Sequence, residues 1–138
     1  MMKTPRNFSS LVILVIGDSI VLGLTTLAGF SFHATLGEAR ERLLITFATA
    51  LVSWLFAGIP LGVYYTNYIQ SYRHLWRPLW ASILAAPLAT FLRGVLLERP
   101  ILPIFVVAFG GINALAIFVW RVVYLLACYQ LRKANGRT

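Results

Sequence analysis

Asp18 and Arg121 carry opposite charges and lie inside two separate long apolar runs of the sequence. Such residues can join two helices as an ion pair, or line a path for ions. Asn113 lies inside the same apolar run as Arg121, and its amide can hydrogen-bond across helices. His33 ends one apolar run and could ligate a metal or a pigment, or titrate near neutral pH. Arg93 lies close to the end of another run.

Each of these residues also has a plainer interpretation. Arg121 could extend its long side chain toward lipid head groups instead of pairing. Arg93 is expected to do so toward the outer face, and Asn113 is expected to hold helices together. His33 is expected to be a solvated residue at the membrane surface.

No combination of residues in the sequence predicts a catalytic centre. There is no plausible serine–histidine–acid set, no metal-ligand cluster and no glycine-rich phosphate loop. With two histidines and one cysteine, ligands for a metal are scarce. We therefore predict no metal site, and the sequence gives no indication of enzymatic activity; no cofactor is indicated beyond contact with lipid or pigment.

The composition excludes a soluble domain. Of 138 residues, 59% are hydrophobic and 12% are charged. So few charges could not cover the apolar surface of a soluble domain of this size. The net charge of +8 comes from basic residues at the ends of apolar runs, which is typical of membrane topology rather than nucleic-acid binding.

Four apolar stretches are long enough to span a bilayer, which takes about 20 helical residues. They cover residues 9–32, 43–65, 79–97 and 103–127. Pro60 and Pro87 lie inside the second and third spans and are expected to kink them. The sequence thus predicts an all-α polytopic membrane protein, a bundle of four transmembrane helices in a single domain.

The positions of Asp18 and Arg121 within their spans predict that they pair. At a rise of about 1.5 Å per residue, Asp18 lies roughly 14 Å from the inner end of the first span. Arg121 lies about 9–12 Å from the inner end of the fourth. Since these depths overlap within the reach of an arginine, we expect the pair to face the bundle interior.

Basic residues are distributed unequally between the two sides. The positive-inside rule places the side that has basic but no acidic residues in the cytoplasm. Both termini and the loop after the second span are therefore predicted to be cytoplasmic. The basic residues on that side are Lys3, Arg6, Arg73, Arg77, Arg132, Lys133 and Arg137.

The segment from Tyr65 to Trp76 alternates aromatic and polar residues at helical spacing. This pattern predicts an amphipathic segment in the inner membrane interface, or a continuation of the second helix. We expect Arg73, Arg77, Trp76 and Trp80 to contact lipid or a partner there.

The chain contains four short motifs: Gly17-Asp18, followed by an apolar span and His33; Phe91-Leu92-Arg93; Pro103-Ile-Phe-Val106; and Trp120-Arg121. These motifs resemble an uncharacterised bacterial membrane-protein family, domain of unknown function 3054. The resemblance covers roughly residues 10 to 125. It implies a bacterial inner-membrane protein of four helices, and it draws attention to Asp18, His33, Arg93 and Arg121 as one set.

The sequence departs from this family in one place. A Gly-Arg pair is expected shortly before Ser-His, whereas this chain has Ala28-Gly-Phe-Ser-Phe-His33. Any role of that arginine in the family therefore does not transfer to this chain.

Two hypotheses of function follow. The first is an accessory or structural subunit of a larger membrane complex, respiratory or photosynthetic, which contacts lipids and other membrane subunits. The second is a small channel or transporter, in which Asp18 and Arg121 line a polar path. Because four helices barely enclose a path, the second requires self-association. A membrane enzyme or a lipid-handling protein is a further alternative.

Overall fold

The chain forms four long α-helices and no strand in the residues that the computed structural model describes, 6–32 and 40–136. The helices are α1 (Arg6–Phe32), α2 (Arg40–Gly58), α3 (Trp76–Leu96) and α4 (Pro103–Ala134). All four are long and apolar enough to cross a membrane, which confirms the predicted fold class.

The helices pack as a ring in which each has two main neighbours. α1 packs on α2 and α4, and α3 packs on the same two helices through larger interfaces. The loop 59–75 lies at one end of the bundle, where α1 begins and α4 ends; we call this the Gly62 end. The opposite end, at the short 97–102 link, is the Glu98 end.

The second predicted span, 43–65, was wrong at its C-terminal end, because α2 ends at Gly58 and Pro60 lies outside it. Gly62 follows in a left-handed conformation with φ of 68°. The Val63 amide donates to the Gly58 carbonyl, and the Gly62 amide donates to the Ile59 carbonyl, both at 3.0 Å. These two bonds form a Schellman motif, in which glycine at the left-handed position reverses the chain.

The predicted helical or amphipathic segment over 65–76 is instead a series of turns with one 3₁₀ turn at Tyr72–His74. It does not lie wholly on the surface, because Ile69 is buried against Leu14 and Tyr124. Tyr72 and Trp76 are exposed. The loop therefore closes the Gly62 end of the core.

The remaining boundaries differ from the prediction by a few residues. α1 and α3 each begin three residues earlier than predicted, and α4 continues to Ala134. α3 also ends in a Schellman motif: the Arg99 amide donates to the Gly94 carbonyl at 3.0 Å. Here Glu98, with φ of 51°, takes the left-handed position that glycine occupies after α2.

Two glycines allow neighbouring helices to approach closely. A Cβ atom on Gly17, in α1, would overlap the Trp120 ring of α4. A Cβ atom on Gly110 would lie 2.7 Å from the Ala86 Cβ, which joins α4 to α3. Close approach of this kind stabilises helix pairs in lipid, where the hydrophobic effect between helices is absent.

Candidate functional site

The core of the bundle contains a buried ion pair between α1 and α4. Arg121 Nη2 lies 2.6 Å from Asp18 Oδ2, and the two side chains are 5% and 0% exposed. Burial of either charge alone would be costly, so each is stabilised by the presence of the other. The structure thus brings together Asp18 and Arg121, whose positions along their spans predict similar depths in the membrane.

Tyr64 and Trp54 extend this pair to the second helix and its loop. The Tyr64 hydroxyl donates to Asp18 Oδ2 at 2.7 Å, and it accepts a hydrogen bond from Trp54 Nε1 at 2.7 Å. The Arg121 guanidinium lies 5.4 Å from the centroid of the Tyr64 ring, a cation–π distance. We call Asp18, Trp54, Tyr64 and Arg121 the Asp18 cluster.

Local folding places each member of the Asp18 cluster. Gly17 lets α4 approach α1 beside the carboxylate, where Trp120 covers the glycine. Gly62 turns the chain back after α2, so that Tyr64 reaches Asp18 instead of leaving the bundle. Burial and the neighbouring Asp18 carboxylate raise the pKa of the Tyr64 hydroxyl, which therefore stays protonated and donates.

Two atoms of the Asp18 cluster are buried without a hydrogen-bond partner among residues 6–32 and 40–136. They are Asp18 Oδ1 and Arg121 Nε. The pair is therefore joined through one carboxylate oxygen rather than as a bidentate fork. A single-contact pair gives less geometric specificity than the bidentate arrangement that arginine can form.

A cavity of about 270 Å³ lies toward the Glu98 end. All four helices line it, and its walls are mostly apolar. Gly29, Ala108 and Ile112 are exposed at its edge, so it opens on the flank between α1 and α4. The lining residues are Thr25, Thr26, Gly29, Phe30, Arg42, Thr46, Arg93, Phe105, Ala108, Phe109, Ile112 and Asn113.

Arg93 lies in the wall of this cavity rather than extending freely from the bundle. Its Nε donates to Thr46 Oγ1 on α2 at 2.9 Å, and its guanidinium lies 5.0 Å from the centroid of the Phe105 ring. In the part of the chain that the structure describes, no acidic side chain lies within ion-pair distance of Arg93.

Asn113 forms the inner wall of the cavity and joins α4 to α1. Its Oδ1 accepts a hydrogen bond from the Thr25 hydroxyl at 2.7 Å, and its Nδ2 donates to the Phe109 carbonyl at 2.8 Å. This is the interhelical hydrogen bonding expected of it.

The Asp18 cluster and the cavity do not join. No member of the Asp18 cluster lines the cavity, and Leu22 and Ile117, each at most 3% exposed, belong with Trp54 to one apolar core cluster. The predicted set of Asp18, Arg93 and Arg121 is therefore divided between two places. His33 lies outside the described residues.

The four residues predicted to contact lipid or a partner differ in their surroundings. Arg73, Trp76 and Trp80 are exposed. Arg77 turns inward: its Nη1 donates to the Leu61 carbonyl at 2.7 Å, and its guanidinium lies 4.0 Å from the centroid of the Tyr68 ring. Arg77 thus binds the turn that follows the C-terminal end of α2, where cations are favoured.

Sequence reasoning missed Tyr64 and Trp54 as members of the site. A signal for Tyr64 was present, because Pro60 and Gly62 together mark the end of a helix. A signal for Trp54 was its position, away from the other Trp and Tyr residues near the inner side. A lone aromatic far from the interfacial belt is a candidate for burial with a hydrogen-bond partner.

Comparison with known proteins identifies a family. No curated protein and no solved structure matches the chain significantly. Residues 15–124 match a family described as protein of unknown function (DUF3054). The match includes all four residues of the Asp18 cluster and the whole cavity wall. The chain therefore belongs to the DUF3054 family, whose activity is uncharacterised.

Proposed function

We propose that this protein is an accessory subunit of a larger complex in the bacterial inner membrane, with both termini in the cytoplasm. The observation that carries the proposal is an exposed face of α4. Ile104, Val107, Gly111 and Leu115 follow at helical spacing, and the three large side chains are at least 65% exposed. A Cβ atom on Gly111 would meet nothing within 4 Å.

A glycine in the middle of an exposed apolar face suits contact with another helix. Lipid chains adapt to a large side chain as easily as to a small one, whereas a partner helix gains from close approach at glycine. The partner in this proposal is a membrane-spanning helix of another subunit. The candidate complexes are respiratory and photosynthetic ones.

The Asp18 cluster supports a structural role for the intramembrane charges. Asp18 and Arg121 neutralise each other, and their burial within one bundle holds α1, α4 and the loop after α2 in a fixed arrangement. A path lined by these residues would require both to face the pore. Their enclosure therefore counts against the alternative of a homo-oligomeric channel or transporter.

Native electrophoresis of mildly solubilised membranes tests this proposal. The tagged wild type should migrate with a large complex, and Gly111→Phe should release it, because a phenyl ring would separate the two helices. Val123→Phe is the matched control, since Val123 is also exposed on α4 but faces a different direction.

Migration of the wild type as a free chain would contradict the proposal. A defined homo-oligomer without other proteins would favour the channel alternative. Equal loss of the complex in both variants would mean that the face containing Gly111 is not the contact.

A further inference from the structure

We propose that the cavity at the Glu98 end is a binding site for one anionic phospholipid, whose phosphate meets Arg93 and Arg42 and whose acyl chain lies against the phenylalanines of the wall. This site is separate from the face of α4 that contains Gly111. It does not depend on the protein being an accessory subunit.

Charge is the first argument. Arg42 and Arg93 both line the cavity, and Arg42 and Arg99 act on Arg93 as like charges. Within the described ranges, 6–32 and 40–136, neither lining arginine has an acidic side chain at ion-pair distance. Arg93 is half-buried, so an anion in the cavity would relieve a repulsion that water screens only in part.

The hydrogen-bonding state of the wall is the second argument. The hydroxyls of Thr25 and Thr26 and the amide of Asn113 already have partners within the bundle. Arg93 uses its Nε for Thr46, which leaves the terminal nitrogens of the guanidinium to face a ligand. Terminal guanidinium nitrogens suit phosphate oxygens. The recognised group is therefore an anion at the arginine end, and the rest of the site recognises no polar group.

Shape is the third argument. Phe105 lies beside the Arg93 guanidinium, and Phe109 and Ile112 continue the cavity away from it. The cavity opens through Gly29, Ala108 and Ile112. Its volume of about 270 Å³ lies just below the range of sites that enclose a drug-sized ligand, about 300–1,000 Å³. The site would therefore hold a head group and the start of a chain, while the remainder extends along the exposed flank into surrounding lipid.

Native mass spectrometry of the delipidated full-length protein in detergent tests the proposal. The probes are dioleoyl phosphatidylglycerol, dioleoyl phosphatidylcholine with the same chains, oleate and inorganic phosphate. We expect one phosphatidylglycerol per chain, bound at least about tenfold more tightly than phosphatidylcholine. Neither oleate nor phosphate at the same concentration should displace it.

Two variants test the site, one by filling the cavity and one by removing a positive charge. Gly29→Phe should fill the cavity mouth and abolish retention of phosphatidylglycerol, and it should leave the fold intact because a Cβ atom at Gly29 meets nothing within 4 Å. Arg93→Gln should weaken binding by about tenfold to a hundredfold, the loss typical of one charged hydrogen-bonding group. Val123→Phe is the control, because Val123 is exposed on α4 but lies outside the cavity wall, and this variant should bind as the wild type does.

Each contrary result overturns the proposal. Equal affinity for the two phospholipids would show that the anionic head group is not recognised. Retention of phosphatidylglycerol by Gly29→Phe would show that the lipid does not bind in the cavity. Displacement by inorganic phosphate would make the site one for free anions, and displacement by oleate one for carboxylates. If Arg93→Gln fails to fold, Gly29→Phe still decides.

Discussion

Arg121 and Asp18 are separated by 103 residues of sequence and meet at 2.6 Å in the middle of the bundle. The contact joins the first and last helices, which makes it the longest-range polar link among the side-chain hydrogen bonds described above. Because Tyr64 donates to the same carboxylate oxygen, one atom of Asp18 connects three parts of the fold.

The first prediction concerns this ion pair. Asp18→Asn or Arg121→Gln should each lower the free energy of unfolding by about 3–5 kcal/mol, because each leaves a buried charge uncompensated. The double variant should lose less than the sum of the two, since neither charge is then stranded. Thermal unfolding in detergent measures all three variants, and additive losses would contradict an energetic coupling between the residues.

The second prediction concerns Tyr64. Tyr64→Phe should cost about 1–3 kcal/mol, because it removes the donor to Asp18 and the acceptor of Trp54 Nε1. Tyr65→Phe is the matched control: Tyr65 is 58% exposed, and the change should remain within about 0.5 kcal/mol. Equal stability of the two variants in the same unfolding assay would mean that the Tyr64 hydroxyl does not support the Asp18 cluster.

The third prediction compares two adjacent glycines in α4. Gly110→Ala should destabilise the protein by about 1–3 kcal/mol, because its methyl group would overlap Ala86. Gly111→Ala should be neutral or stabilising by up to about 1 kcal/mol, since it gains helix propensity and meets nothing. Unfolding of the isolated protein should therefore show a loss of stability for Gly110→Ala and none for Gly111→Ala. Unchanged stability of Gly110→Ala, or an equal loss in both variants, would contradict the α3–α4 packing.

The sequence was sufficient to predict contacts between residues at the same depth in the membrane. It was insufficient for contacts that depend on where the chain reverses after a helix. The contact between Asp18 and Arg121 is predictable because the position of a residue along a spanning helix gives its depth in the membrane. Tyr64 was missed because the second helix was extended to Tyr65, although Gly62 was the stop signal. The bond from Arg93 to Thr46 could not be anticipated, because a threonine in an apolar helix usually bonds to its own backbone, as Thr46 also does.

The fourth prediction separates two arginines near the Gly62 end. Arg77→Gln should destabilise the protein by about 1–3 kcal/mol, because Arg77 binds the Leu61 carbonyl. Arg73→Gln should leave stability unchanged and weaken association with anionic nanodiscs at low salt, by about 1 kcal/mol for one exposed charge. Unfolding and nanodisc binding are measured for both variants. Unchanged lipid binding of Arg73→Gln would contradict the predicted contact of Arg73 with lipid.

The fifth prediction concerns orientation. Reporters that are active only in the cytoplasm should be active when fused after Thr138 or inserted near Ser71, and silent when inserted near Gly37, because basic residues without acids flank the first two positions. An active reporter at Gly37 together with a silent reporter at Ser71 would show that the protein has the opposite orientation. Activity at all three would contradict alternate crossing of the membrane.

The distance in sequence between Asp18 and Arg121 has a consequence for synthesis. At about 5–20 residues per second, the ribosome needs roughly 5–20 s to progress from Asp18 to Arg121. Tyr64 is made only 46 residues after Asp18, so its hydroxyl is present well before the arginine. During this interval the nascent chain carries a carboxyl group in its first helix without its counter-ion. Of the two groups that bond to the Asp18 carboxylate in the finished fold, the Tyr64 hydroxyl is therefore the first to be made.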